Sequence, residues 1–109
     1  MNLNVEKILI IGLGMIGSSI ALASKSKGIK VFGFDKSNNS IKEALEKNII
    51  DSSIDSIDDI GSSEFVEEID LIVIAVPPKQ TLEVLKSLKN IWNTDVTITD
   101  TSSVKNHIK

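Results

Sequence analysis

An apolar run, Ile8-Leu9-Ile10-Ile11, leads directly into Gly12-Leu13-Gly14-Met15-Ile16-Gly17, and a helical pattern begins where the glycines finish. An unbroken apolar run of this kind reads as a strand buried on both faces. Such a strand needs helices above and below it, which points to a parallel α/β sheet. The glycine spacing is G-x-G-x-x-G, a strand-to-helix turn suited to a phosphate ligand. Gly12 permits the tight turn, Gly14 lets backbone approach a pyrophosphate, and Gly17 lets the helix pack closely on the strand. The pyrophosphate rests on free N–H groups at the positive end of the helix, which adds Met15 and Ile16 to the candidate contacts. Alone the motif is weak; its place between strand and helix carries the reading.

The rest of the chain repeats the alternation. Residues 5–13 form the first strand. A helix follows over 15–27, with Ile16, Ile20, Ala21 and Ala23 or Ser24 at inward spacing and Gly28 at its C-terminal cap. Residues 29–35 (IKVFGFD) read as a second strand, and Ser37 as the N-cap of a helix whose inner stripe is Ile41, Ala44 and Leu45. Ile49 and Ile50 suggest a short third strand, then an irregular Asp/Ser-rich connection with one helical turn near 64–67. Residues 70–76 (DLIVIAV) form the fourth strand, ended by Pro77-Pro78, where proline suits the first turn of the next helix. Leu82, Leu85, Leu88 and Trp92 form that helix's buried stripe, 96–99 a fifth strand, and 100–109 an unfinished loop or helix. The order predicts a Rossmann-type open parallel sheet, 3-2-1-4-5, with helices on both faces, as one domain over 1–109. The fifth strand is left as an unpaired edge.

Composition removes several function classes. A net charge of −3 argues against a nucleic-acid partner, which needs a basic face. There is no cysteine, so disulfides, thiolate nucleophiles and cysteine-ligated metals are excluded. The apolar stretch 71–78 is too short to span a bilayer, and the N-terminus carries no secretory pattern; a cytoplasmic protein without membrane partners is expected. Lys25, Lys27 and Lys30 complement the negative end of the first helix. The acidic stretch 51–70 lacks calcium-loop spacing and reads as a solvated face, so no metal site is expected.

Asp35 ends the second strand, 18 residues after Gly17. A carboxylate there accepts the two ribose hydroxyl hydrogens of an adenosine and repels the 2′-phosphate of NADP, so the sequence favours NAD. Lys36 beside it partly offsets that repulsion. Ligands lie outside the carboxyl ends of the strands where strand order reverses. That rule places Ala75, Val76 and Pro77 after the fourth strand, and Asp100 and Thr101 after the fifth, against the nucleotide and its nicotinamide.

The chain also resembles the prephenate and arogenate dehydrogenases. Their G-L-G-x-I-G-x-S opening is matched by GLGMIGSS at 12–19, their acidic second-strand end by GFD at 33–35, and their Ala-Leu helix with its Ile-Asp pair by Ala44-Leu45 and Ile50-Asp51. Their D-L-I-V-x-A-V-P strand is matched by DLIVIAVP at 70–77, with Thr81 and the following leucines in the next helix. Their D-x-x-S-V-K segment is matched by Asp100, Ser103, Val104 and Lys105.

The resemblance implies oxidative decarboxylation of prephenate or arogenate in tyrosine (aromatic amino acid) biosynthesis, with hydride passing from the ring carbon bearing the 4-hydroxyl to the nicotinamide. It implies that Ser103 lies beside the nicotinamide and the substrate hydroxyl; Lys105 is assigned no chemistry. The family's catalytic histidine stands in an H-P-x-A-G segment, its substrate arginine in a helical dimerisation domain, and neither is among these residues. His107 does not match that motif and reads as a surface or helix-start residue. A homodimeric parent enzyme is implied, and inactivity of the 109 residues alone. Asn48 and Ser102 depart from frequent family glycines; asparagine tolerates a left-handed backbone. Rival readings are a hydroxyisobutyrate dehydrogenase-like enzyme or a pyrroline-carboxylate reductase, against which the 100–105 segment stands, and a regulatory nucleotide-sensing module, which gives Ser103 no role.

Overall fold

The computed structural model describes residues 6–54, 69–87 and 96–101. Five strands form one parallel sheet: β1 (Lys7–Ile11), β2 (Lys30–Phe34), β3 (Ser52–Ser53), β4 (Leu71–Ile74) and β5 (Thr97–Asp100), in the order β3-β2-β1-β4-β5. The expected topology and strand order are observed. Three described helices connect them: α1 (Met15–Ser26), α2 (Asn38–Glu46) and α3 (Pro78–Ser87). Central β1 pairs with β2 from Lys7↔Lys30 to Ile11↔Phe34, and with β4 from Ile8↔Leu71 to Ile11↔Ile74.

Successive side chains of a strand point to opposite faces, and two separate cores result. Leu9, Ile11, Ile72 and Ile74 pack with Val84 of α3 on one face. Ile8, Ile10 and Val73 pack with Ala21 of α1 and Ala44 of α2 on the other. Helices therefore cover both faces, and β1 and β4 are apolar at every position from Ile8 to Ile11 and Leu71 to Ile74 for that reason. Burying each such leucine or isoleucine contributes about 1.5–3 kcal/mol relative to exposure.

The helices turn different faces inward from those their hydrophobicity suggests. On α1 the buried residues are Gly17, Ala21 and Ser24, while Ile16 is 47% and Met15 90% exposed, and Ala23 is exposed. Close approach decides this: the glycine must face the strand, so its helical neighbours at i+4 and i+7 face it too, and the isoleucine rotates outward. On α3, Thr81 and Val84 are buried and Leu85 packs against the core, whereas Leu82 is 62% exposed; Leu82 is a correction to the expected stripe. On α2, Ala44 is buried and Leu45 is 38% exposed. Leu88, Trp92 and the helical turn expected near 64–67 lie outside the described residues.

The third strand is also displaced. Ile49 and Ile50 do not pair; their N–H groups both reach back to the carbonyl of Ala44, at 2.8 and 3.4 Å, closing the end of α2. Asn48 carries the turn at φ 59°, the left-handed conformation that asparagine tolerates. Pairing starts only when the Asp51 N–H donates to the Val31 carbonyl at 2.8 Å. Gly28 ends α1 at φ +81°, and Ser37 caps α2 by accepting from the Ser40 N–H at 3.3 Å, both as expected.

Two aspartates that bound the acidic stretch serve the strand ends. The Asp70 carboxylate accepts from the Glu6 and Lys7 N–H groups at 2.8 and 3.0 Å. Asp51 accepts from the Val31 N–H at 2.8 Å and pairs with Lys25 at 3.3 Å, while the Lys25 ammonium donates to the Asn48 carbonyl at 2.8 Å. Lys25 thus binds the end of α1 to the turn after α2, besides complementing the helix dipole. Residues 55–68 lie outside the described part.

Glu43 and Lys47 form an i,i+4 pair on α2 at 2.6 Å. The hydrogen bond from Lys47, then its charge, holds the Glu43 carboxyl below the usual carboxylate range and raises the ammonium correspondingly. Both groups are open to solvent, so the pair is screened and adds little to the fold.

Candidate nucleotide-binding site

The carboxyl ends of β1, β2 and β4 converge on the glycine loop. Gly12 sits at φ +103°, donates to the Phe34 carbonyl at 2.8 Å, and leaves so little space that a Cβ there would lie 2.6 Å from the Ala75 carbonyl oxygen. A left-handed backbone and a neighbouring chain at that distance are both tolerated only by glycine. Ala75 in turn donates to the Ile11 carbonyl at 2.8 Å, so the end of β4 is stitched to the base of the loop. Gly17 is the tightest point: its ideal Cβ would fall 1.8 Å from the Gly12 carbonyl oxygen. Helix α1 therefore starts pressed against the turn that precedes it.

Gly14 has the opposite environment. It is the N-cap of α1, exposed, with nothing within 4 Å of where a Cβ would stand. No side chain caps this end of the helix and no acidic residue lies in its first turn. The first N–H groups of a helix lack intrahelical partners and carry the positive end of its dipole. Open space over Gly14 and a positive, uncapped helix end together fit a pyrophosphate.

Asp35 is half-buried at the end of β2, and it does more than the sequence indicates. One carboxylate oxygen accepts from the Leu13 N–H at 2.7 Å, in the middle of the glycine loop. The other accepts from the Ser37 N–H at 2.9 Å. Each oxygen keeps a further lone pair for a ligand hydroxyl. The carboxylate is therefore a clamp joining the glycine loop to the β2–α2 turn. The helix cap is Ser37.

A mostly apolar pocket opens beside the clamp, lined by Ile11, Gly12, Phe34, Asp35, Lys36, Val76 and Val84. Its walls come from β1, β2, the end of β4 and α3. Lys36 reaches across to α3, its ammonium 3.8 Å from the Glu83 carboxylate. Pro77 is exposed, and its carbonyl accepts from the Gln80 N–H at 2.8 Å as α3 begins. At the end of β5, Asp100 is in register with Ile74, and the Thr101 hydroxyl donates to the Ile74 carbonyl at 3.3 Å. The structure thus brings together Gly12, Gly14, Met15, Ile16, Gly17, Asp35, Lys36, Ala75, Val76 and Pro77 around one edge of the sheet, with Asp100 and Thr101 beside β4. Ser102, Ser103, Lys105 and His107 lie outside the described residues. No group able to hold a metal ion occurs among the described residues.

Sequence reasoning missed Val84 as a wall of this pocket and Glu83 as the partner of Lys36. The period-3.6 signal that could have placed Val84 inward was there in Thr81, Val84 and Leu85, but the leucines outweighed it.

A family model described as the prephenate dehydrogenase nucleotide-binding domain matches residues 20–109. The chain belongs to this family. A prephenate dehydrogenase of Lactococcus lactis is 39% identical over 106 residues, 94% of this chain and 28% of its own length. That of Bacillus subtilis is 36% identical over 99% of this chain and 29% of its own. The chain thus spans about a third or less of the relatives it matches. Among solved structures, prephenate dehydrogenase from A. aeolicus, in complex with hydroxyphenyl propionate and NAD+, superposes with a TM-score of 0.77 at 29% identity over 92% of this chain and 34% of that one. The family match begins beyond the glycine loop, whose role rests on its own geometry. No described helix is long and apolar enough to cross a membrane.

Proposed function

We propose that this chain is the NAD-binding domain of a cytoplasmic dehydrogenase that oxidatively decarboxylates prephenate or arogenate toward tyrosine, and that these 109 residues bind NAD without turning substrate over. The observation that carries the reading is the Asp35 clamp set against the open, uncapped start of α1. In it Gly14 with the N–H groups of Met15 and Ile16 receives the pyrophosphate, and Asp35 accepts the ribose hydroxyls. Gly12 and Gly17 shape the loop. The pocket floored by Ile11 and walled by Lys36, Val76 and Val84 takes the adenine side. Ala75, Pro77, Asp100 and Thr101 line the way to the nicotinamide, where Ser103 positions the substrate hydroxyl. NAD, when bound, supplies the hydride acceptor. The histidine and arginine that the family uses on the substrate are not in this chain; the parent enzyme acts as a homodimer on a small-molecule substrate, with no nucleic-acid or membrane partner.

The test is a titration of the purified chain with NADH and NADPH at fixed salt, followed by nicotinamide fluorescence, together with an assay for prephenate-dependent NADH production. Saturable binding with NADH clearly tighter, and no turnover, is expected. Binding of neither dinucleotide sinks the proposal, and turnover by the isolated chain refutes the division of labour.

Gly14→Ala separates the roles of the loop glycines. Its Cβ meets nothing within the protein, so stability falls by no more than about 1 kcal/mol, the cost of alanine at an N-cap. NADH binding weakens at least tenfold, because the methyl group occupies the space over the helix end. Unchanged NADH affinity in a folded Gly14→Ala protein would place the pyrophosphate elsewhere.

A further inference from the structure

We propose that Glu83 is a specificity residue: it holds the Lys36 ammonium away from the adenosine 2′ position and so disfavours a 2′-phosphate. The inference rests on the NAD-binding reading above and extends it to a residue on another element. Lys36 is the cation among the residues lining the pocket. A 2′-phosphate arriving next to Asp35 would meet a carboxylate and would need that lysine as its partner. Lys36 is instead directed toward α3, where Glu83 stands 3.8 Å away. Glu83 directly precedes Val84, which forms a wall of the same pocket. The ion pair therefore joins the two walls, from the end of β2 to α3.

The neighbouring groups leave a phosphate few alternatives. At the start of α2, the other source of N–H donors near Asp35, two groups are already engaged: the Ser37 N–H donates to Asp35 and the Ser40 N–H to the Ser37 hydroxyl. With Lys36 paired, an arriving phosphate faces the Asp35 carboxylate while the lysine of the pocket is held by Glu83. An arriving phosphate must displace Glu83 from Lys36 and then tolerate both carboxylates. The ribose diol of NAD has no such requirement, since it donates to Asp35 and leaves Lys36 alone. The side chains of Lys36 and Glu83 are 67% and 74% exposed, so the pair is screened, contributes little to the fold, and can be removed without unfolding the domain. An interaction of this strength translates into a change in binding of about fivefold at most.

The experiment is an equilibrium titration with NADH and NADPH, at one low salt concentration, of the chain and of its Glu83→Gln, Glu46→Gln, Lys36→Ala and Lys36→Ala/Glu83→Gln variants. Glu46 lies in the last turn of α2, exposed, and its variant carries the same change of net charge away from the pocket. Glu83→Gln is expected to tighten NADPH about two- to fivefold and to move NADH less than about 1.5-fold. Glu46→Gln is expected to do neither, and in the Lys36→Ala background Glu83→Gln is expected to lose its effect. An unchanged NADPH-to-NADH ratio in Glu83→Gln overturns the proposal. So does a shift of the same size without Lys36, which would make Glu83 a bulk-charge effect. If the wild-type chain binds neither dinucleotide, the NAD-binding reading fails first and this proposal falls with it; if it binds NADH and only the Glu83 arm fails, that reading stands.

Discussion

Gly17→Ala is expected to cost the domain about 3 kcal/mol or more, the upper range for overpacking. The new Cβ would lie 1.8 Å from the Gly12 carbonyl oxygen and 3.3 Å from the Ile10 Cγ2, whereas real Cβ contacts essentially never fall under 3.0 Å. The nearest atom is backbone, so no side-chain rotation relieves the contact. Helix α1 must move off β1 by more than 1 Å, and Ala21 and Ser24, which face the sheet from the same helix, move with it. In a domain whose whole stability is about 5–15 kcal/mol, such a loss lowers the melting temperature by roughly 12 °C or more. Thermal and urea unfolding followed by circular dichroism measure it, with Gly14→Ala as a control that makes the same chemical change in the same loop where space is open. A loss below about 1 kcal/mol in Gly17→Ala would show that helix and turn separate easily, and the tight start of α1 would no longer explain the third glycine.

Asp35→Ser is expected to act on binding and on the fold at once. The carboxylate holds the Leu13 and Ser37 N–H groups at 2.7 and 2.9 Å. Serine is too short to span both, so the glycine loop and the β2–α2 turn lose their common anchor. Hydrogen bonds to a charged group contribute about 1.5–3 kcal/mol each. Half-exposure and replacement by water reduce that, and about 1–3 kcal/mol of stability is the expected loss. NADH affinity falls about tenfold to a hundredfold, because the ribose loses its acceptor and the loop its support. NADPH, which gains nothing from the carboxylate, is affected less, so the preference between the two narrows. Asp35→Asn distinguishes the two contributions: one amide oxygen can still accept from one of the two N–H groups, so part of the stability returns while the charge does not. Titration and thermal unfolding of both variants give the answer. NADH binding unaltered by Asp35→Ser would mean that the ribose is held by other groups.

Several features of this protein were legible because they depend on neighbours in sequence. The apolar runs around β1 and β4 announce strands buried twice over. Gly12 announces a turn only glycine can make, and Ser37 the cap of α2. Asn48 could be read as left-handed because its short amide tolerates that conformation. The converging ends of β1, β2 and β4 followed from strand order, and strand order from the alternation of elements with right-handed crossovers. The family resemblance carried in residues 70–77 and 100–105 falls within the stretch, 20–109, that the family model matches.

What remained hidden depends on distances across the fold. Hydrophobicity puts Ile16 and Leu82 inside their helices, yet both are exposed, because the closest contact to the sheet, at Gly17 on α1 and at Thr81 and Val84 on α3, sets the rotation of each helix. Ile49 and Ile50 look like a strand, but they close α2 before pairing can begin. Asp51 and Asp70 look like part of a solvated acidic stretch, and instead secure β2 and β1. For these residues the sequence determined chemistry and the tertiary structure decided partners. The same division runs through the site. The glycine spacing and the acidic end of β2 were determined by local backbone geometry, which each residue carries with it. That Asp35 grips Leu13, that Lys36 reaches Glu83, and that Thr101 ties β5 to Ile74 was decided only when parallel strands brought ends separated by 22, 47 and 27 residues to hydrogen-bonding or ion-pairing distance, since no short-range pattern records which long-range neighbour a polar group will meet.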